Sequence, residues 1–145
     1  MLRLSLLIIL LCVAGAGCTV NEVIVADETE LVVADMPADE SRLLDIGIVE
    51  FDPGIDDDNN PRKTGVHEEI RFAETKYLAY HLKTTLQGTG HWGAVRVIPS
   101  REAFTDVVIS GDIEKSDGEF VVLNISVEDA SGTHWYDKSY ETQTG

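Results

Sequence analysis

Residues 106–140, DVVISGDIEKSDGEFVVLNISVEDASGTHWYDKSY, decide the fold of this chain. The segments 106–114 and 120–128 are rich in β-branched and large apolar residues, which favour strands. In the second segment apolar and polar residues alternate, a pattern typical of a strand with one face in the core. Turn residues follow both segments, so the stretch predicts a meander of three strands that ends with residues 134–140.

The turns and the alternation make two detailed predictions. Asp117-Gly118 accepts the positive φ angles of a type I′ turn, so we expect that turn between the first two strands. The core face of segment 120–128 is expected to consist of Val121, Leu123, Ile125 and Val127.

Residues 66–87 contain no glycine or proline and predict the one long helix. Apolar residues recur at steps of three and four, and we expect the stripe they form to face the core. The stripe consists of Val66, Ile70, Ala73, Tyr77, Leu78 and Leu82. Thr64 is the predicted N-cap, and Gly88 and Gly90 are predicted to end the helix.

Two further strands flank the helix in sequence. Residues 44–52 predict a buried strand that stops before Pro53, and residues 92–98 predict a strand closed by Pro99. Residues 100–104 predict a short helical turn. The order β-α-β-β-β predicts an α+β domain over residues 44–145, with a mixed sheet of about five strands and one long helix on one face.

The chain is strongly acidic, with a formal net charge of −15. Residues 18–60 hold 13 Asp and Glu against one base, Arg42, whereas residues 61–145 hold 13 against nine. Such a surface is a poor partner for a nucleic-acid backbone, so we expect no nucleic acid to bind. We interpret residues 18–43 as an acidic linker. The alternative is that its two valine-rich patches, 23–25 and 31–33, are edge strands.

The first 18 residues predict export and lipid attachment. Arg3 precedes an apolar run over residues 4–13, and small residues lead into Cys18, so residues 1–17 are predicted to be a signal peptide. The sequence Gly-Ala-Gly-Cys at 15–18 resembles the bacterial lipobox. That resemblance implies a lipoprotein with diacylglycerol on the Cys18 sulfur and a fatty acyl chain such as palmitate on its amine. Thr19 is similar to the residue at that position in outer-membrane lipoproteins, which implies an outer-membrane anchor facing the periplasm. An ordinary cleaved signal and an uncleaved anchor are the alternatives.

No catalytic residue, metal site or cofactor is predicted. Cys12 lies in the signal and no cysteine follows Cys18, which excludes disulfides and thiol chemistry from the exported chain. The four histidines form no HxH or HExxH pair. The acidic loop 52–60 departs from the EF-hand spacing, because Pro61 stands where that motif needs glycine. Such a loop is most simply a solvated surface.

Residues 44–140 resemble one periplasmic module. The features that carry the resemblance are strand 46–52, the helix end at 82–90, strand 92–98, segment 106–113 and the meander that reaches Trp135. The module is similar to the small α+β domain of the Tol translocation protein N-terminal part, the curli-secretion lipoprotein and the lipoprotein activators of penicillin-binding proteins. In that group a further helix follows the last strand, so either residues 44–145 are an incomplete copy or the resemblance ends there.

The resemblance implies a non-enzymatic envelope accessory that binds another protein. Residues that could anchor such a partner are Trp92, Trp135, Tyr136 and Tyr140, because exposed aromatics are favoured at interfaces. The alternative for Trp92 and Trp135 is that both fill the core. A periplasmic ligand-binding or glycan-binding domain, and a hydrolase that uses loop 52–60, are the alternative functions.

Overall fold

The computed structural model describes residues 23–25, 30–36, 39–55, 67–101 and 104–143. The element order is β1 (Val23–Val25), a 3-10 turn (Glu40–Arg42), β2 (Ile46–Val49), α1 (Glu68–Thr89), β3 (Val95–Ile98), β4 (Val107–Ser116), β5 (Phe120–Asp129) and β6 (His134–Gln143). The strands form one mixed sheet in the order β1-β6-β5-β4-β2-β3, and α1 packs against it. The predicted α+β fold and its five strands from β2 to β6 are confirmed. Cys18 and the signal peptide lie outside the described residues.

Strand directions give the sheet two distinct ends. β2 pairs in parallel with β3 and β4, and β6 pairs in parallel with β1, while β4, β5 and β6 form the predicted antiparallel meander. Parallel neighbours need a crossover connection, which α1 provides between β2 and β3. Five strands therefore begin at the same end, which we call the amino end of the sheet. The opposite end is the carboxyl end.

The core lies between α1 and one face of the sheet. Its centre is a row across three strands, in which Ile48 is opposite Ile109 and Ile109 is opposite Val127. Leu123 and Ile125 pack against the same cluster, so the face predicted for β5 is confirmed where it meets the core. Each buried aliphatic side chain of this kind stabilises the fold by about 1.5–3 kcal/mol.

The helix turns a different face to the sheet from the one predicted. Its buried residues are Arg71, Thr75, Ala79 and Thr89, and Leu78, Leu82 and Leu86 are partly buried against the core. Ile70, Ala73 and Tyr77 are exposed, so their placement in the core is wrong. The physical reason is that α1 is apolar on two sides. The side with small Thr75 and Ala79 allows a close approach to the sheet, and the side with bulky Tyr77 remains in water.

The ends of α1 also differ from the prediction. His67 is the N-cap, with extended backbone and no capping hydrogen bond from its side chain, so the assignment of Thr64 as N-cap is wrong. Gly90 ends the helix as predicted, in the left-handed conformation with φ of 69°, whereas Gly88 lies inside the helix. Left-handed backbone favours glycine, because it has no Cβ to clash with the carbonyl oxygen.

The prediction for the β4–β5 connection is wrong. In the β4–β5 turn only Gly118 has a positive φ, 87°, whereas a type I′ turn requires two such residues. A single positive φ at the first central position is the pattern of a type II′ turn. The Asp117 carboxylate stabilises it by accepting from the backbone N–H of Glu119 and Phe120. Residues 100, 101 and 104 belong to no helix, and residues 102 and 103 of the expected helical turn lie outside the described residues.

Part of the segment interpreted as a linker contacts the domain. Val23 pairs with Ser139 at the start of the β1–β6 ladder, which makes residues 23–25 an edge strand. Residues 31–33 form no strand, but Ala34 donates its backbone N–H to the Thr89 carbonyl at 2.8 Å. The edge-strand alternative is therefore confirmed for the first valine patch and wrong for the second.

Candidate protein-binding surface

The four aromatics predicted to bind a partner do not form one surface. Trp92 precedes β3 and packs, partly buried, against the core, whereas Trp135 and Tyr136 lie on β6 and are 45% and 41% exposed. Three strands separate β3 from β6 in the sheet, which places Trp92 far from the other aromatics. Tyr140 is partly buried further along β6. The core alternative is thus confirmed for Trp92 and wrong for Trp135.

Trp135 is held by the turn that precedes it. The register of β5 and β6 shifts here, since Tyr136 is opposite Val127 and His134 is opposite Glu128. The indole N–H of Trp135 donates to Asp129 at 3.2 Å. Hydrogen bonds from the Ser131 hydroxyl and from backbone N–H groups lower the pKa of Asp129 to about 2, so it accepts as a carboxylate.

Tyr136 lies beside Tyr140 on the same strand. Burial raises the pKa of the Tyr136 hydroxyl above its ordinary value, and the neighbouring Tyr140 raises it further. These rings lie on the sheet face that also bears Leu123 and Val127, their cross-strand partners. This pair therefore extends the core face towards the edge of the sheet.

A further set of exposed apolar and aromatic side chains lies on the helix. Ile70, Tyr77 and Tyr80 are 57%, 64% and 62% exposed, and Ala73 is exposed between them. Their spacing of three, four and three residues places the four side chains in a row along the side of α1 that faces away from the sheet. We call this row the outer stripe. It matches the spacing with which one helix presents apolar residues to another.

Neighbouring side chains fix the rings of the outer stripe. Tyr77 stacks on His81, with ring centroids 5.8 Å apart and an interplanar angle of 14°. The Lys83 ammonium lies 5.2 Å from the centroid of the Tyr80 ring, within the range of a cation–π interaction. Side chains that are already ordered lose less conformational entropy when a partner binds. The stripe is therefore a preorganised surface.

The charges beside the outer stripe differ along its length. Glu69 adjoins its first residue, and Lys76 and Lys83 flank its second half. Neither lysine forms an ion pair with any residue that the structure describes, whereas four other cations do so: Arg71, Arg96, Arg101 and Lys115. In a protein with a net charge of −15, this leaves a local positive patch beside exposed tyrosines.

The face of the sheet opposite α1 has a polar groove of about 690 Å³. Several of its charged and amide side chains already have partners. Arg101 forms an ion pair with Glu128 at 3.0 Å and donates to Ser110, and Asn124 donates to Asp112 at 2.9 Å. The groove therefore offers few free groups to a ligand.

One acid at this groove, Asp137, lacks the property expected of a general acid. His134 lies 2.6 Å from Asp137, and its hydrogen bond lowers the pKa of that carboxyl. A catalytic acid needs a raised pKa. Asp52, at the groove, accepts from the backbone N–H of Gly54, while residues 56–60 of the acidic loop lie outside the described part. Within that part, no group of three or more His, Asp or Glu is placed to hold a metal ion.

Sequence reasoning missed the outer stripe because it assigned three of its residues to the core and did not consider Tyr80. A signal was present: residues 70, 73, 77 and 80 follow one helical face, while residues 71, 75, 78 and 82 follow another. A helix with apolar residues on two sides is typical of one that has two neighbours. The presence of Arg71 and Thr75 on the second face hid its role in packing.

Comparison of the chain with protein-family models, with curated proteins and with solved structures found no match. Across the described ranges, no helix has the length and apolar character needed to cross a membrane.

Proposed function

We propose that this protein is a lipid-anchored accessory of the bacterial envelope that binds another protein and performs no catalysis. In this proposal Cys18 carries the lipid, the anchor lies in the outer membrane, and the α+β domain faces the periplasm. The observation that supports protein binding is the outer stripe, which leaves Ile70, Tyr77 and Tyr80 more than half exposed on a rigid helix.

The chemistry of the stripe suits a protein partner. Tyrosine is enriched at interfaces and at the residues that contribute most binding energy, because its ring buries a large area and loses few rotamers. Monomeric proteins tolerate scattered exposed apolar residues, but a contiguous row is typical of an interaction site. The polar groove supports a small-ligand function less well, because its side chains are largely paired.

We infer that the partner presents a helix. The spacing of Ile70, Ala73, Tyr77 and Tyr80 lets the side chains of a second helix pack between them, with small Ala73 admitting a larger side chain. Lys76 and Lys83 favour acidic residues on the facing side of that helix.

Site-specific photo-crosslinking in the native membrane tests this surface. A photoreactive residue at Tyr77 or Tyr80 should give an adduct with one partner protein, and one at Glu119, in the β4–β5 turn, should not. The purified partner should then bind full-length Ile70→Ala/Tyr77→Ala at least about tenfold more weakly than the wild type, equivalent to about 1.4 kcal/mol.

Trp135→Ala is the matched control, because it removes an exposed aromatic from β6 and should leave this affinity unchanged. Equal affinities for the wild type and the Ile70→Ala/Tyr77→Ala variant would exclude the outer stripe as the binding surface.

The lipid anchor has an independent test. The intact mass of the membrane-extracted protein should correspond to a chain that begins at Cys18 and carries diacylglycerol. The Cys18→Ser variant should lack that mass. An unlipidated mature wild type would remove the anchor from the proposal and leave the test of the outer stripe standing.

A further inference from the structure

We propose that the outer stripe also binds the outer stripe of a second copy of this chain, with the two α1 helices side by side and antiparallel. This inference rests on the proposed function, because it uses the same binding surface. It adds regulation to that function, since the self-paired form covers the stripe until the partner displaces the second copy. The order of residue sizes along the stripe and the placement of its charges support it.

The outer stripe has the same spacing when its direction is reversed. Its residues lie at positions 70, 73, 77 and 80, which are symmetric about position 75. In two antiparallel helices that meet at that position, Ile70 of each copy is level with Tyr80 of the other. Ala73 is level with Tyr77 in the same way, so each tyrosine ring packs beside a smaller side chain. In a parallel pair the two Ala73 side chains would be level with each other and leave a gap.

The charges at the two ends of the stripe are complementary in this arrangement. Glu69 and Lys83 are 14 residues apart, about four helical turns, and therefore lie on the same flank of the stripe. In an antiparallel pair, residues of the same flank face each other, so Glu69 of each copy faces Lys83 of the other. Neither residue forms an ion pair with another residue of the described ranges. Both charges are thus available to a second copy.

Charges near the middle of the stripe limit the strength of the pair. Lys76 lies on the flank of Glu69, close to the two-fold axis, so the lysines of the two copies repel each other. Glu74 approaches the axis on the other flank, where its ion pair with Arg71 at 3.2 Å already offsets its charge. A partner helix with an acidic residue opposite Lys76 replaces the repulsion by attraction. Such a partner therefore binds the stripe more tightly than a second copy does.

The self-paired surface is also small. The stripe from Ile70 to Tyr80 spans about 15 Å of helix, whereas a standard interface buries roughly 1,600 Å². The pair should therefore be weak in dilute solution. It should become populated where the proposed anchor confines the chains to a membrane, because confinement raises their effective concentration.

Photo-crosslinking in the native membrane tests the register. The full-length protein carries a photoreactive phenylalanine analogue in place of Tyr80, which keeps an aromatic ring there. Besides any adduct with the partner, we expect an adduct of two chains in which position 80 is joined to residues around Ile70 of the second copy. Mass spectrometry of its peptides locates the new bond. The same analogue at Glu119, in the β4–β5 turn, is the matched control and should give no such adduct.

Two results of this experiment would overturn the proposal. The first is the absence of an adduct of two chains. The second is a bond that joins position 80 to residues around Tyr80 of the second copy, because that bond indicates a parallel pair.

Exchange of the end charges tests the two ionic contacts. Glu69→Lys and Lys83→Glu should each lower the yield of the two-chain adduct at least about threefold, because each places like charges opposite one another. Glu69→Lys/Lys83→Glu restores opposite charges and should recover the yield to within about twofold of the parent. Loss of folding in a single variant would not recover in this way. A double variant as weak as the single variants would contradict the antiparallel register.

The affinity for the purified partner separates this inference from the proposed function. Glu69→Lys/Lys83→Glu should recover self-pairing and still bind the partner more weakly than the wild type, because the cation at position 83 is lost. If Ile70→Ala/Tyr77→Ala weakens partner binding and no two-chain adduct forms, only self-pairing is refuted. If that variant binds the partner as the wild type does, and the adduct forms in the expected register, the stripe binds a second copy and only its role towards the partner is refuted.

Discussion

Replacing Arg71 by alanine should lower the free energy of unfolding by about 3–5 kcal/mol, because the guanidinium joins three parts of the fold. Its Nη1 donates to the carbonyls of Pro53 and Ile113 at 3.2 and 3.1 Å, and its Nη2 donates to Ser116 at 3.1 Å. Its Nε lies 3.2 Å from Glu74. The side chain is only 4% exposed, so water could replace few of these hydrogen bonds.

The magnitude follows from the partners that would be left behind. The Ile113 carbonyl is buried and loses its donor, which costs about 1–3 kcal/mol. The Pro53 and Ser116 carbonyls are partly exposed to water, so their loss costs roughly 1 kcal/mol each. The ion pair to Glu74, which is 32% exposed, adds less than about 1 kcal/mol.

Urea denaturation followed by tryptophan fluorescence measures this loss, because Trp92 packs against the core. Arg96→Ala is the matched control. Its ion pair with Asp45 has a distance of 3.6 Å and both side chains are exposed, so it should cost less than about 1 kcal/mol. If Arg71→Ala and Arg96→Ala had equal effects, the guanidinium would not stabilise the fold through these carbonyls.

Three further predictions concern the core, a close approach and pH. Ile48→Ala should lower the free energy of unfolding by about 2–5 kcal/mol, since Ile48 is fully buried; a loss below 1 kcal/mol would contradict its central position. Gly47→Ala should cost about 1–3 kcal/mol in the same urea assay, because the new Cβ would lie 2.5 Å from Ile98 Cδ1 and 2.9 Å from Thr105 Oγ1. Unchanged stability would mean that the side chains of Ile98 and Thr105 move aside without cost. Because the folded pKa of Asp129 is about 2 and its reference value is 3.8, its contribution to stability is present above about pH 4 and lost as the pH falls towards 2. Asp129→Asn should therefore make the urea midpoint depend less on pH across that range. If the variant and the wild type showed the same pH dependence, other acids would be its cause.

The elements with a single clear periodicity were predictable. In β5 the alternation of apolar and polar residues identified the core face, because a strand has only two faces and Val127 and Ile125 lie on one of them. The existence of α1 was equally clear. Its orientation was not, because Ile70 and Tyr77 follow one helical side as regularly as Leu78 and Leu82 follow another, and only tertiary packing decides between them.

Other features depend on contacts that no local pattern contains. Arg71 would ordinarily be assigned to the surface, and it is buried because carbonyls from two separate segments, Pro53 after β2 and Ile113 and Ser116 in β4, meet around it. The outer stripe became recognisable once the buried side of α1 was known. In the same way, the sequence of Val23–Val25 fits a linker and an edge strand equally well, and only its pairing with β6 distinguishes the two.

The pairing of β1 with β6 also sets the length of chain between Cys18 and the first residue fixed in the sheet. While β1 is paired, five residue steps separate Val23 from Cys18; if β1 detached, the next described contact with the domain would be that of Ala34 with Thr89, 16 steps from the same cysteine. Because β1 has three residues and lies at the edge of the sheet, we expect it to open before the ten-residue strands β4 and β5. If Cys18 carries the lipid as proposed, pairing of β1 would hold the domain close to the membrane surface, and release of β1 would lengthen the acidic link between them.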